Sequence, residues 1–229
     1  MPYHNIDAAF RSSKVNECYL FVKDKYVVLN YAPGEKKKDI IKGPCLISDG
    51  FPMVAKMSAE NVIDCAFNTH HNEAFFFFEK QCEKIDYAPD STKSELLSGP
   101  TSIIEAFPCL DHTVHKDGID AAFLSTRKNV YLFKGHRYTR IDYVHPDYAI
   151  IVYRTIRKGF GSLLGTVFES GIDAAFSSHV KHEAYIFRGE YYARINFGPD
   201  TLDGDFIVGG RIKRIKDDWP ALHDILHYE

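Results

Sequence analysis

Ile6-Asp7-Ala8-Ala9-Phe10, Ile63-Asp64-Cys65-Ala66-Phe67, Ile119-Asp120-Ala121-Ala122-Phe123 and Ile172-Asp173-Ala174-Ala175-Phe176 are near-copies of one pentapeptide, with Asp residues 57, 56 and 53 positions apart. A period of that length marks a repeat architecture. An aromatic residue follows each Asp at a distance of 23 or 24 positions, at Tyr31, Tyr87, Tyr143 and Phe197. The phase is therefore held over whole units, at approximately 3–57, 58–113, 114–166 and 167–224, within one domain of residues 1–229.

Between pentapeptide and aromatic lies a hairpin. Tyr131-Leu-Phe-Lys-Gly-His-Arg-Tyr-Thr-Arg-Ile-Asp-Tyr143 and Tyr185-Ile-Phe-Arg-Gly-Glu-Tyr-Tyr-Ala-Arg-Ile-Asn-Phe197 alternate in strand fashion around turns at Gly135-His136 and Gly189-Glu190. Lys23-Asp24 and Glu79-Lys80 fill the turn in the first two units, so turns of a different type are expected there. Polar turns with proline follow at Pro33, Pro89, Pro146 and Pro199, and a short apolar stretch with a helical turn closes each unit near Phe51, Phe107, Phe160 and Trp219. Each unit thus supplies three or four antiparallel strands rich in aromatics on both faces. Such a sheet needs a neighbour on each side, and four of them closing radially make an all-β, four-bladed β-propeller. The paired small residues suit the crowded innermost strands. Phe75-Phe76-Phe77-Phe78 aligns with the other first hairpin strands and is expected to be buried on both faces.

The chain of 229 residues is 45% hydrophobic and 26% charged, with net charge −3, which gives no general attraction to nucleic acid. No apolar run approaches a membrane span, and the N-terminus enters the first repeat without a secretory signal pattern. Cys18, Cys45, Cys65, Cys82 and Cys109 are odd in number and form no C-x-x-C pair, so free thiols in a reducing compartment are expected. Lys36-Lys37-Lys38 reads as an exposed loop, and Arg211 to Lys216 as a solvated strand alternating charge with Ile. Of the histidine pairs, His179 with His182 is read as part of a solvated loop and His223 with His227 as a surface pair rather than as metal ligands, while His70-His71 and His112 with His115 receive no role.

The pentapeptide followed by Y-x-F-x-G-x-x-Y-x-R-I-D is similar to the hemopexin repeat across the whole chain, and within that family to the legume seed albumins of the pea albumin 2 type. The resemblance implies a central tunnel holding calcium and sodium on main-chain oxygens and chloride on main-chain N–H groups deeper in. The calcium positions would be the carbonyls of Asp7, Asp64, Asp120 and Asp173, and less securely those of Asn5, Val62, Gly118 and Gly171. It further implies a cytosolic seed protein that is a homodimer when it carries the polyamine spermine at the tunnel mouth, and a monomer when it carries hemin, the two states being exclusive. No heme ligand is assigned. With no cysteine after Cys109, the disulfide of secreted members cannot form, and closure of the ring must rest on packing.

The residues themselves support less. Fourfold convergence brings four Asp residues to one level near the axis, where inner-strand groups need water or ions, and hard cations suit such oxygens. Alternatively each carboxylate bonds to backbone N–H groups of a neighbouring blade and fixes the stacking, since like charges brought together raise each other's pKa. An enzyme at the tunnel mouth is disfavoured, because four equivalent carboxylates do not divide into acid and base, and H-E-x-x-H, G-x-S-x-G and P-loop motifs are absent. A storage or interaction propeller with purely structural ions is the remaining alternative.

Overall fold

The computed structural model describes residues 5–33, 39–54, 62–69, 71–89, 94–125, 128–144, 149–198 and 204–226. Lys36 to Lys38, His70, the turns at Pro146 and Pro199, His227 and the expected boundary near residue 57 lie outside them.

Four antiparallel sheets form in chain order. Blade 1 contains β1 (Ala8–Arg11), β2 (Glu17–Val22), β3 (Lys25–Asn30) and β4 (Asp39–Leu46). Blade 2 contains β5 (Cys65–Asn68), β6 (Glu73–Phe78), β7 (Gln81–Asp86) and β8 (Glu95–Ser102). Blade 3 contains β9 (Ala121–Leu124), β10 (Asn129–Lys134), β11 (Arg137–Asp142) and β12 (Ile150–Thr155). Blade 4 contains β13 (Ala174–Ser177), β14 (Glu183–Arg188) and β15 (Tyr191–Asn196), with an outer edge split into β16 (Phe206–Ile207) and β17 (Lys213–Arg214). The short inner strands touch in a closed cycle, β1 on β5, β5 on β9, β9 on β13 and β13 on β1. This is a four-bladed propeller.

The pentapeptide works by alternation. Ile6, Ile63, Ile119 and Ile172, with the second small residue of each copy, pack toward the preceding blade, whereas the first small residue and the Phe pack toward the following one. Four apolar layers result, each shared by two blades. The distant aromatic belongs to the same design. Tyr87 stands edge-on to Phe10 of the preceding blade at 5.0 Å between ring centroids, Tyr143 to Phe67 at 5.8 Å, and Tyr31 to Phe176 at 5.0 Å, while Phe197 is tilted against Phe123 at 5.1 Å. The phase between pentapeptide and aromatic is kept because one blade's aromatic needs the other blade's Phe.

Phe76 and Phe77 are fully buried, facing blade 1 and blade 3 respectively, and Phe75 is half-buried against Phe107. Each unit closes with one helical turn, α1 (Ile47–Gly50), α2 (Ile103–Ala106), α3 (Ile156–Gly159) and α4 (Ile215–Asp218), and a final turn α5 (His223–Leu226) follows. Phe51, Phe107, Phe160 and Trp219 end these turns by donating their N–H to the carbonyl of the turn's first Ile. The expected strand at Arg211 to Lys216 is corrected here. Only Lys213 and Arg214 pair with β15, because buried Ile215 starts α4. All five cysteines are free, and burial pushes the Cys82 thiol up to about 12, which makes it unreactive.

Closure of the ring uses more than packing. The layer between blades 4 and 1 includes Ile215, Trp219, Leu222, Ile225 and Leu226 from the C-terminal turns. Polar contacts cross the same seam: Arg11 Nη1 donates to the Ser178 carbonyl at 2.9 Å, the His179 N–H donates to the Tyr31 hydroxyl at 2.7 Å, and the Asn16 N–H donates to His179 Nδ1 at 3.2 Å. His179 is therefore a seam residue, not a solvated loop residue, and burial lowers its pKa to about 4. His115, to which the sequence gives no role, is fully buried, with Nε2 at 3.0 Å from the Leu132 carbonyl, and burial lowers it to about 4 as well.

Glu83 on β7 is 2% exposed at the register position held by Val27, Thr139 and Ala193 in the other blades. Burial raises its pKa to about 7. An acid whose pKa is higher folded than unfolded contributes stability below the unfolded value, and loses it as pH rises through the folded value. E83Q is therefore expected to match the wild type at about pH 4 and to exceed it by about 2–3 kcal/mol at about pH 8, checked by urea unfolding at the two pH values.

Candidate cation axis and its two mouths

Asp7, Asp64, Asp120 and Asp173 each stand one residue before an innermost strand, at one level of the ring, and each is half-buried. Their N–H groups donate to Phe21, Phe77, Phe133 and Phe187 at 2.8 to 3.0 Å, which continues the pairing with the second strand of the same blade. The carboxylates accept from the first residue of that blade's hairpin turn: Lys23 N–H at 2.5 Å, Glu79 N–H at 2.5 Å, Gly135 N–H at 2.7 Å and Gly189 N–H at 2.7 Å. The alternative of a bond to a neighbouring blade is corrected in this respect: the turn N–H that each carboxylate accepts lies in the Asp's own blade. All four turn residues are left-handed, with φ of 51°, 49°, 51° and 53°. The first two turns thus share this feature with the last two, and the Asp bond stabilises a conformation that Lys and Glu adopt only at a cost.

Gly118 and Gly171 enter their strands at φ 131° and 156°. A Cβ at Gly118 would stand 3.0 Å from the Glu79 carbonyl, and one at Gly171 would stand 3.3 Å from the Gly135 carbonyl. Strand entry is thereby fitted against the preceding blade's turn, and Lys80 adds an ion pair to Asp117 at 2.8 Å across the blade 2 to blade 3 boundary. Val62 is half-buried and Asn5 exposed at the corresponding positions.

The mouth is not evenly acidic. Lys134 Nζ lies 2.7 Å from Asp120 Oδ1, and Arg188 shares a groove with Asp173 and Asn5. The same register position holds Val22 and Phe78 in the first two blades. The charge of Asp120 is therefore answered within its own blade. Among the described residues no group of three His, Cys, Asp or Glu side chains is placed to hold a metal ion. Main-chain oxygens are a hard donor set that fits calcium or sodium.

At the opposite mouth the inner strands end in two rungs. Arg11, Asn68, Leu124 and Ser177 form the first, followed by Ser12, Thr69, Ser125 and Ser178. A pocket of about 310 Å³ opens there, lined from all four blades. Sequence reasoning passed over it, because residues that differ between repeats carry no repeat signal.

The chain was compared with known proteins. The Hemopexin family model matches residues 172–224. Albumin-2 of Pisum sativum is 46% identical over 98% of this chain and 97% of that protein. Among solved structures, a plant albumin from Cicer arietinum described as showing hemagglutination is 49% identical, with a TM-score of 0.92, over 98% of this chain and 99% of that one. A plant lectin from Cicer arietinum, described as having two metal binding sites, is 48% identical, with a TM-score of 0.91, over 98% and 99%.

Proposed function

The chain belongs to the Albumin-2 family of seed albumins, built on the hemopexin fold, and from that premise we propose that it is a non-enzymatic ligand-binding protein of the seed cytosol. It holds calcium and sodium on the axis through the main-chain oxygens of Asp7, Asp64, Asp120 and Asp173, with Asn5, Val62, Gly118 and Gly171 as the outer set, and chloride deeper in. The observation that carries this reading is the return of each Asp carboxylate to its own hairpin turn, which gives four equivalent strands one level of main chain around a common centre. A relative described as having two metal binding sites supports it.

Spermine is the organic cation of this reading, and hemin its exclusive competitor, with the dimer carrying the first and the monomer the second. The uneven mouth refines it: Lys134 pairs with Asp120 and Arg188 lines the groove beside Asp173, so ammonium groups are drawn toward the first two blades. D7N combined with D64N keeps an oxygen for each turn N–H and removes the charge. It is expected to weaken spermine roughly tenfold, against a change of less than about threefold for D120N with D173N. Isothermal titration of chelator-treated, calcium-reloaded protein measures both, and light scattering reports the oligomeric state with each ligand. A spermine isotherm that is salt-sensitive and abolished by hemin supports the reading. Silence toward both ligands would leave a storage or interaction propeller, the reading that the hemagglutination described for a relative favours.

A further inference from the structure

The two mouths of the propeller differ in one respect that bears on ligands. At the Asp mouth the four repeats supply the same residue, as a structural role common to all blades requires. At the far mouth the equivalent rung is Arg11, Asn68, Leu124 and Ser177, four different chemistries at one level. Blade geometry does not call for that difference, since all four strands share one backbone course and one register with their neighbours.

The pocket there is built from donors. Arg11 spends Nη1 on the Ser178 carbonyl at 2.9 Å, and a guanidinium carries five N–H donors in all. Among the described residues no carboxylate lies within salt-bridge distance of Arg11, and the titratable groups that act on it are the hydroxyls of Tyr31, Tyr87 and Tyr143 and the ring of His179. Ser125 Oγ and Ser177 Oγ line the same pocket, on residues 8% and 4% exposed, and neither has a hydrogen-bond partner among the described residues. His182 Nδ1 is in the same position. Native proteins rarely leave such groups unsatisfied, and each one left so costs about 1–3 kcal/mol. Lys128 and Lys181 stand exposed at the rim. The acidic residue among the described lining residues, Glu183, forms an ion pair with Arg194 Nε at 3.5 Å, while its Oε2 accepts no hydrogen bond among the described residues.

We propose that this mouth binds a small oxyanion, a carboxylate or a phosphate, on the Arg11 guanidinium and the Ser125 and Ser177 hydroxyls. The planar guanidinium matches two oxygens of such an anion, and the hydroxyls supply the donors for the others. Chloride, a sphere without directional acceptors, uses this donor set poorly. The axis is then polarised, open to cations at the Asp mouth and closed to them at the Arg11 mouth, so that a linear polycation enters from one end and does not pass through. The proposal uses the mouth opposite the cation level and stands or falls independently of it.

The test is the thermal unfolding midpoint, with calorimetry, of the whole chain titrated separately with inorganic phosphate, acetate and chloride. Phosphate or acetate is expected to raise the midpoint saturably, and the preference between them identifies the oxyanion class. S125A combined with S177A removes two unsatisfied hydroxyls, so it is expected to fold at least as stably as the wild type without anion, yet to bind the preferred oxyanion at least about tenfold more weakly. R11K keeps the positive charge but replaces the planar fork by a compact ammonium, and is expected to lose the preference for oxyanions over chloride. No saturable response to either oxyanion, equal response to chloride, or unchanged affinity in the double serine variant would overturn the proposal.

Discussion

Replacing Trp219 by alanine is expected to destabilise the chain by about 4 kcal/mol and to lower its unfolding midpoint by about 10 °C. The ring is 1% exposed and stands edge-on to Tyr185, Phe187 and Tyr192 at 5.8, 5.5 and 5.6 Å between centroids. It lies in the layer that joins the last blade to the first, together with Leu20, Leu29 and Ile6 from blade 1. The equivalent residues Phe51, Phe107 and Phe160 sit in layers flanked on both sides by consecutive repeats. At the Trp219 seam the joined blades are the two ends of the chain, and no disulfide ties them. The loss is therefore expected to fall on closure itself: in W219A the C-terminal turns α4 and α5 become the first segment cut by a protease under native conditions. Chemical denaturation measures the stability, and limited proteolysis with mass spectrometry locates the cut. A loss below about 1 kcal/mol with unchanged cleavage would contradict the role assigned to this seam.

The second large effect is a loss of stability in acid carried by His115. Its ring is fully buried, Nε2 faces the Leu132 carbonyl, and burial lowers its pKa to about 4. The unfolded chain takes up the proton first, near pH 6.5, so it binds more protons than the folded one between about pH 6.5 and 4. Stability contributed by the neutral ring is then present above the unfolded value and lost as pH falls through the folded one, about 3 kcal/mol in all. Half-buried His179 adds a smaller loss of the same sign at the blade 4 to blade 1 seam. Glu83 acts oppositely over an overlapping range, since it loses stability as pH rises through about 7. The wild-type profile is thus flattened by compensation, and the histidine slope emerges in E83Q. Adding H115Q to E83Q is expected to remove most of that slope, measured by urea unfolding at intervals between pH 4 and 7.

The propeller was legible because every blade needs the same two things, small residues at the axis and a Phe that receives the next blade's aromatic. Tyr87 on Phe10 and Phe197 on Phe123 are one contact repeated, and repetition is what a single sequence displays. The Asp level was legible for the same reason, but the direction of its hydrogen bond was not. A carboxylate 16 residues before Lys23 in the chain meets its N–H only once the hairpin has folded back beside the inner strand. His115 escaped because it is unique to its repeat, and His179, whose position His70 fills in the second repeat, because its partners come from the first blade. Burial of a histidine follows from the neighbours it meets in space, Leu132 for one and Tyr31 for the other, and neither stands near it in sequence. Arg11 was hidden in the same way, at a position where the other repeats carry Asn68, Leu124 and Ser177 and no residue recurs. What repeats reveals the scaffold, and what departs from the repeat marks the closing seam and the far mouth.

The central claim is that the axis at the level of Asp7, Asp64, Asp120 and Asp173 is a cation site made of main-chain oxygens. Anomalous diffraction from crystals grown with calcium tests it most directly. The account predicts an anomalous peak on the axis at about 2.3–2.6 Å from the carbonyl oxygens of these four residues, with their carboxylates still turned to Lys23, Glu79, Gly135 and Gly189. An axis without an anomalous peak, or a calcium ion bound by the carboxylates after they have left those turns, would contradict it.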